Sequence, residues 1–92
     1  MRKFEENEIK SKLESMNGWE VINNHHLNKR FEFKNFICAL DFVNKAGEEA
    51  EIQGHHPDIK LGWGYAEVSI YTHTENGVTQ KDFDLAEKIN GI

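Results

Sequence analysis

The sequence predicts an α+β domain, a four-stranded antiparallel sheet with three helices on one face, in the order α-β-β-α-β-β-α. Three observations carry that expectation. Apolar residues recur at helical spacing in three stretches, near the start, in the middle and at the end of the chain. Between them lie short runs in which apolar and polar residues alternate, the pattern of strands with one buried face. Clusters of Asn and Gly separate these runs, so neighbouring strands are joined by short turns and pair antiparallel.

Each element has its own signal. The first helix is expected over Glu6–Met16, where Ile9, Leu13 and Met16 make one stripe. With Glu5 as its cap, Phe4 and Ile9 form a hydrophobic staple, and Asn17-Gly18 stops the helix. Trp19–Asn23 reads as a short strand, and Asn23-Asn24-His25-His26 as a turn. Leu27–Lys34 is the clearest strand, with Phe31 and Phe33 on one face and Arg30, Glu32 and Lys34 on the other. Asn35 caps a long helix, Phe36–Gln53, which Gly54 ends. Phe36, Leu40, Val43, Gly47 and Ala50 lie along one side of it, Ala39, Phe42 and Ala46 lie beside them, and Ile37 widens the arc. That arc exceeds the roughly 100° that one core contact uses, so the excess is expected to pack against another copy of the chain. Ile59–Leu61 is a short strand, Gly62-Trp63-Gly64 a turn or bulge, and Tyr65–His73 a strand. Glu67, Ser69, Tyr71 and His73 share its polar face. After the turn Glu75-Asn76-Gly77, Thr79 caps the last helix in a capping box with Asp82, with Val78 and Phe83 as the staple.

Ninety-two residues make a single domain, 1–92. Six Phe, two Trp and two Tyr supply bulk for one core, and self-association would add to it. The net charge is −5 with no basic stripe, which argues against a nucleic-acid partner. The lone Cys38 excludes an internal disulfide framework and fits a reducing compartment. No apolar run reaches membrane-spanning length and the N-terminus is charged, so a soluble cytoplasmic protein is expected.

Chemistry concentrates at His55-His56-Pro57-Asp58, with His73 seventeen positions after His56. Glu51 precedes the pair and Asp82 follows His73. The imidazoles ionise near neutrality, and Pro57 holds His56 in extended geometry on a stiff corner. One reading is metal-free general acid–base catalysis, suited to a dehydration, with Glu51 or Asp82 orienting an imidazole. The other is zinc held by His55, His56, His73 and a carboxylate. Adjacent histidines diverge in extended chain and no HExxH spacing is present, so the metal reading ranks lower. Trp63 and Tyr71 offer flat surfaces for a ring substrate or serve only in packing. His25-His26, within the Asn-rich turn, read as solvated residues without a functional part, and Cys38 as a small hydrophobe within a helix.

The run Glu51-x-x-x-His55-His56-Pro57-Asp58, then Tyr71-Thr72-His73, then Gly77-Val78-Thr79-x-x-Asp82 resembles the pterin-4a-carbinolamine dehydratase family. Gly18-Trp19, Phe31-x-Phe33-Lys34-x-Phe36 and Leu85-Ala86 extend the likeness over nearly the whole chain. The resemblance implies dehydration of 4a-hydroxytetrahydropterin to quinonoid dihydropterin, with pterin as substrate and neither metal nor cofactor. It implies a catalytic and pterin-binding cluster of His55, His56 and His73, supported by Glu51, Pro57, Asp58 and Asp82. It also implies a homodimer formed through the sheets, or a homotetramer formed through the helix Phe36–Gln53. The chain departs from the family pattern at Ile59, Trp63-Gly64 and Glu75-Asn76, all near the expected pocket.

Overall fold

The computed structural model describes residues 1–92. In chain order the elements are α1 (Glu6–Leu13), β1 (Glu20–Ile22), β2 (His26–Glu32), α2 (Phe36–Gln53), β3 (Asp58–Gly62), β4 (Tyr65–Ile70) and α3 (Gln80–Asn90), with one 3-10 turn at His73–Glu75. The four strands form one antiparallel sheet in the order β1-β2-β4-β3. The α+β class and the element order are those the sequence predicts. No helix is long and apolar enough to cross a membrane.

The core lies between the helices and one face of the sheet. The register puts Leu27 opposite Ile70, Phe31 opposite Ala66, and Ile59 opposite Val68, so these residues share that face. Leu27, Ala66, Val68 and Ile70 are buried against Ile9, Phe42, Ala46, Ala50, Phe83, Leu85, Ala86 and Ile89 of the helices. Burial of this apolar surface drives the fold. Lys29 also falls on the helix side of the sheet. Its ammonium reaches the rim, donating to Asn17 O at 2.8 Å and Asn90 Oδ1 at 2.9 Å. Trp19 Nε1 donates to the same Asn90 oxygen at 2.9 Å, tying the start of β1 to the end of α3. The opposite face of the sheet is polar. Glu20, Asn28, Ser69 and Asp58 stand in one row across all four strands, and Asn28 donates to Ser69 Oγ at 2.9 Å.

Five elements differ in their bounds from expectation; β1 is Glu20–Ile22 rather than Trp19–Asn23, and β3 is Asp58–Gly62 rather than Ile59–Leu61. Helix α1 ends at Leu13, because Glu14, Ser15 and Met16 bond three residues back and tighten the last turn. Met16 is still buried, so the apolar stripe was read correctly while the helix geometry was not. Strand β2 begins one residue early, at His26, and stops at Glu32, short of Lys34. Strand β4 stops at Ile70 rather than His73. The chain must reverse there toward α3, and it does so in a tight loop closed by the Thr72–Gly77 bridge and by Asn76 in the left-handed region, φ 50°. His73 therefore opens a 3-10 turn instead of ending a strand.

Helix α2 has the predicted bounds. Asn35 Oδ1 accepts from Cys38 N at 2.9 Å, and Gly54 adopts φ 64° at the other end. Its core side is Ala39, Phe42, Ala46 and Ala50. Phe36, Ile37 and Ile52 are exposed, and Ile37, Leu40 and Cys38 line a shallow groove. The surplus apolar face anticipated from the sequence therefore exists in the folded chain.

Candidate active site

Two helix termini build the site. At the end of α2, Gly54 turns the chain left-handed and His55 N donates back to Ala50 O at 3.1 Å. This Schellman closure fixes the backbone of His55 as the first residue beyond the turn. Pro57 follows and β3 begins at Asp58, so the His55-His56 corner is held from both sides.

At the start of α3, Thr79 and Asp82 form the expected capping box. Asp82 is fully buried. Its Oδ2 accepts from Thr79 N at 2.7 Å and from Thr72 Oγ1 at 2.8 Å. The Thr79 hydroxyl lies 2.7 Å from that of Thr72 and accepts from Lys81 N at 3.2 Å. Since Thr72 gives its proton to Asp82, Thr79 donates to Thr72. Protons thus point along one line from the helix backbone toward the carboxylate, each bond polarising the next.

The remaining oxygen, Asp82 Oδ1, lies 2.5 Å from His55 Nε2. An ionised carboxylate only accepts, so His55 carries its proton on Nε2 and presents Nδ1 as the basic nitrogen. His55 is nearly buried, with a side chain 10% exposed. The adjacent His56 bonds through Nε2 to Glu51 Oε2, one turn back on α2, and both of these side chains lie in solvent. Two neighbouring imidazoles, each backed by its own carboxylate, therefore stand in different surroundings, one enclosed and one open.

The structure joins His55 to Asp82 and His56 to Glu51. It forms no hydrogen bond between His73 and either histidine. His73 is anchored through its neighbour, because Thr72 is bound to Asp82, and its exposed ring stacks on Tyr71 with centroids 4.2 Å apart. Asp58 forms no hydrogen bond or ion pair with His55 or His56. It lies on the polar sheet face, lining a hollow with His25, His26, Ser69 and Tyr71. No three His, Cys, Asp or Glu side chains converge into a set able to hold a metal ion.

Sequence reasoning missed two things here. Thr72 stands in the sequence only as part of the run Tyr71-Thr72-His73, although its hydroxyl joins the Asp82 network. His25 and His26 were read as idle, yet His25 packs on Tyr71 at 4.3 Å between centroids. The signal for the second was Asn23-Asn24: both residues take positive φ, 53° and 55°, which makes a tight hairpin and carries the histidines back over the sheet.

Residues 2–92 match the profile described as pterin 4 alpha carbinolamine dehydratase. The chain belongs to the pterin-4a-carbinolamine dehydratase family.

A relative from Rubrobacter xylanophilus carrying that family designation is 49% identical over 85 residues, spanning 92% of this chain and 79% of the relative. Another, from Sulfolobus acidocaldarius, is 46% identical over 90 residues, 98% of each chain. Among solved structures, a transcriptional coactivator/pterin dehydratase from Brucella melitensis superposes with a TM-score of 0.92 at 33% identity, covering 98% of this chain and 97% of that one. A pterin dehydratase-like protein described as a RuBisCO assembly factor in the alpha-carboxysome shares the fold, at a TM-score of 0.68 and 21% identity over 82% of this chain and 88% of its own.

Proposed function

We propose that the chain dehydrates 4a-hydroxytetrahydropterin to quinonoid dihydropterin and water by histidine acid–base catalysis without a metal, in support of tetrahydropterin recycling. The observation that carries this reading is the pair of adjacent imidazoles with separate carboxylate partners, His55 on Asp82 and His56 on Glu51. Dehydration breaks the C4a–O bond and the N5–H bond and forms the C4a=N5 double bond. One imidazolium gives its proton to the departing hydroxyl, while a neutral imidazole takes the proton from N5. His55 and His56 form this acid–base pair. Asp82 and Glu51 orient the two rings and fix their tautomers. His73 positions the pterin or shares the proton traffic, and Pro57 and Asp58 hold the corner. The active form is a cytoplasmic homodimer or homotetramer, assembled through the sheet edge and helix α2, whose exposed Phe36, Ile37 and Ile52 supply apolar surface.

The test is the decay of chemically generated 4a-hydroxytetrahydropterin, followed by ultraviolet absorbance with and without the purified protein. A double variant, His55→Ala with His56→Ala, runs beside it, and a third sample contains a chelator. Acceleration that the double variant loses and the chelator leaves untouched is the expected result. Acceleration abolished by chelator would instead require a metal. No acceleration over the spontaneous reaction would remove the enzyme assignment for this substrate and turn attention to the oligomer surface as a binding or assembly module.

A further inference from the structure

His25 touches both ends of the turn that carries His73. Its ring packs against Tyr71, centroids 4.3 Å apart, and Tyr71 stacks in turn on His73 at 4.2 Å and 29° between planes. Its Nε2 lies 3.0 Å from Asn76 Oδ1. Asn76 closes the 3-10 turn from the far side, donating its N–H to His73 O at 3.1 Å.

The tautomers follow from these bonds. Asn76 Oδ1 can only accept, so His25 carries a proton on Nε2. Its Nδ1, 3.1 Å from His26 Nδ1, then accepts from that ring when His25 is neutral. His25 is thus held by hydrogen bonds on both nitrogens and by a ring contact on its face, although it lies in the β1–β2 turn. His73 is exposed and forms no side-chain hydrogen bond. Its stacking on Tyr71 is what limits its rotation, and Tyr71 is braced from its other neighbour by His25.

We propose that His25 is a positioning residue for His73, bracing the Tyr71 ring on which His73 stacks and tying down the turn through Asn76. The inference rests on the proposed part of His73 in the dehydration. An unbraced surface imidazole samples several rotamers, and a group that must meet a substrate atom within hydrogen-bond reach loses rate when it does so. Neither His25 nor Tyr71 touches the reacting atoms in this scheme. Their contribution reaches the substrate only through His73.

Kinetics and nuclear magnetic resonance test this together. His25→Ala should lower kcat/KM about twofold to thirteenfold, the span of an aromatic contact converted to rate. His25→Gln, whose amide can still donate to Asn76, should recover part of that loss. Asn76→Gly, which keeps the left-handed backbone but drops the bond, should show a partial loss. In a His73→Ala background His25→Ala should cost nothing more, because coupled residues are not additive. The His73 ring resonances of His25→Ala should lose the ring-current displacement imposed by Tyr71. Equal losses in both backgrounds, or unmoved His73 resonances, would overturn the inference. Should His25→Ala fail to fold, His25→Gln and Asn76→Gly carry the same comparison. If the wild-type protein shows no dehydratase activity, the functional reading fails by itself, and the His73 resonances still decide the positioning role.

Discussion

Asp82 and Glu51 each bind a histidine, yet substitution at the two pairs should have different consequences. Asp82 accepts three hydrogen bonds in a site closed to water, and removing it strands the Thr79 N–H, the Thr72 hydroxyl and the His55 ring. Leaving buried hydrogen-bonding groups unsatisfied in this way costs about 1–3 kcal/mol each. His56 and Glu51 stand in solvent, where such pairs contribute roughly 0–1 kcal/mol. Asp82→Ala should therefore depress both the urea midpoint and the turnover. His56→Ala should leave the unfolding free energy within about 0.5 kcal/mol of wild type while lowering turnover about 10²-fold to 10⁴-fold. Denaturation curves measured beside rates separate the two. A large loss of stability in His56→Ala would contradict the open setting of that pair.

At the scale of elements, the β1–β2 hairpin has a pH dependence of its own. Burial lowers the His26 pKa below its ordinary 6.5, the neighbouring His25 adds to the shift, and Asp58 opposes it. Below pH about 6.5 the unfolded chain takes up a proton that the folded hairpin resists, so this term favours unfolding as the pH falls and vanishes above it. Melting temperatures between pH 5 and 8 should fall more steeply on acidification for the wild type than for His26→Asn. Parallel curves would show that His26 titrates freely in the folded chain. This behaviour was not legible in the sequence, and the reason is physical. Caps and periodicity are local, so Asn35, Gly54 and the Thr79–Asp82 box could be read directly, and α2 came out with its observed bounds. The path of the chain after Ile70 depends on where α3 must begin, and no local pattern around Tyr71 or His73 records that. His25 looked idle because its partners, Tyr71 and Asn76, are distant in sequence and near only once β2 pairs with β4. The histidine and carboxylate motif was visible by spacing. Its division into one enclosed and one open pair was not, since it needs the burial of α3 against the core.

For the whole molecule, the unmatched surface lies along α2. Phe36 and Ile37 are 43% and 65% exposed, and they adjoin the shallow groove along Leu40. If this face meets a second copy, Ile37→Glu places a charge in that contact while disturbing nothing in the core. Sedimentation should then report a smaller species than wild type, with the fold retained by circular dichroism. An unchanged sedimentation coefficient would remove α2 from the assembly. The setting of Asp82 has a further consequence, one that concerns descent. A lineage that abandoned the chemistry would be free to drift at Glu51 and His56, whose loss the fold barely registers, whereas Asp82 would survive because the chain needs it to close α3 onto Thr72. The aspartate is therefore poor testimony of activity in a distant relative, and on the proposed mechanism the solvent-facing histidine is the better witness.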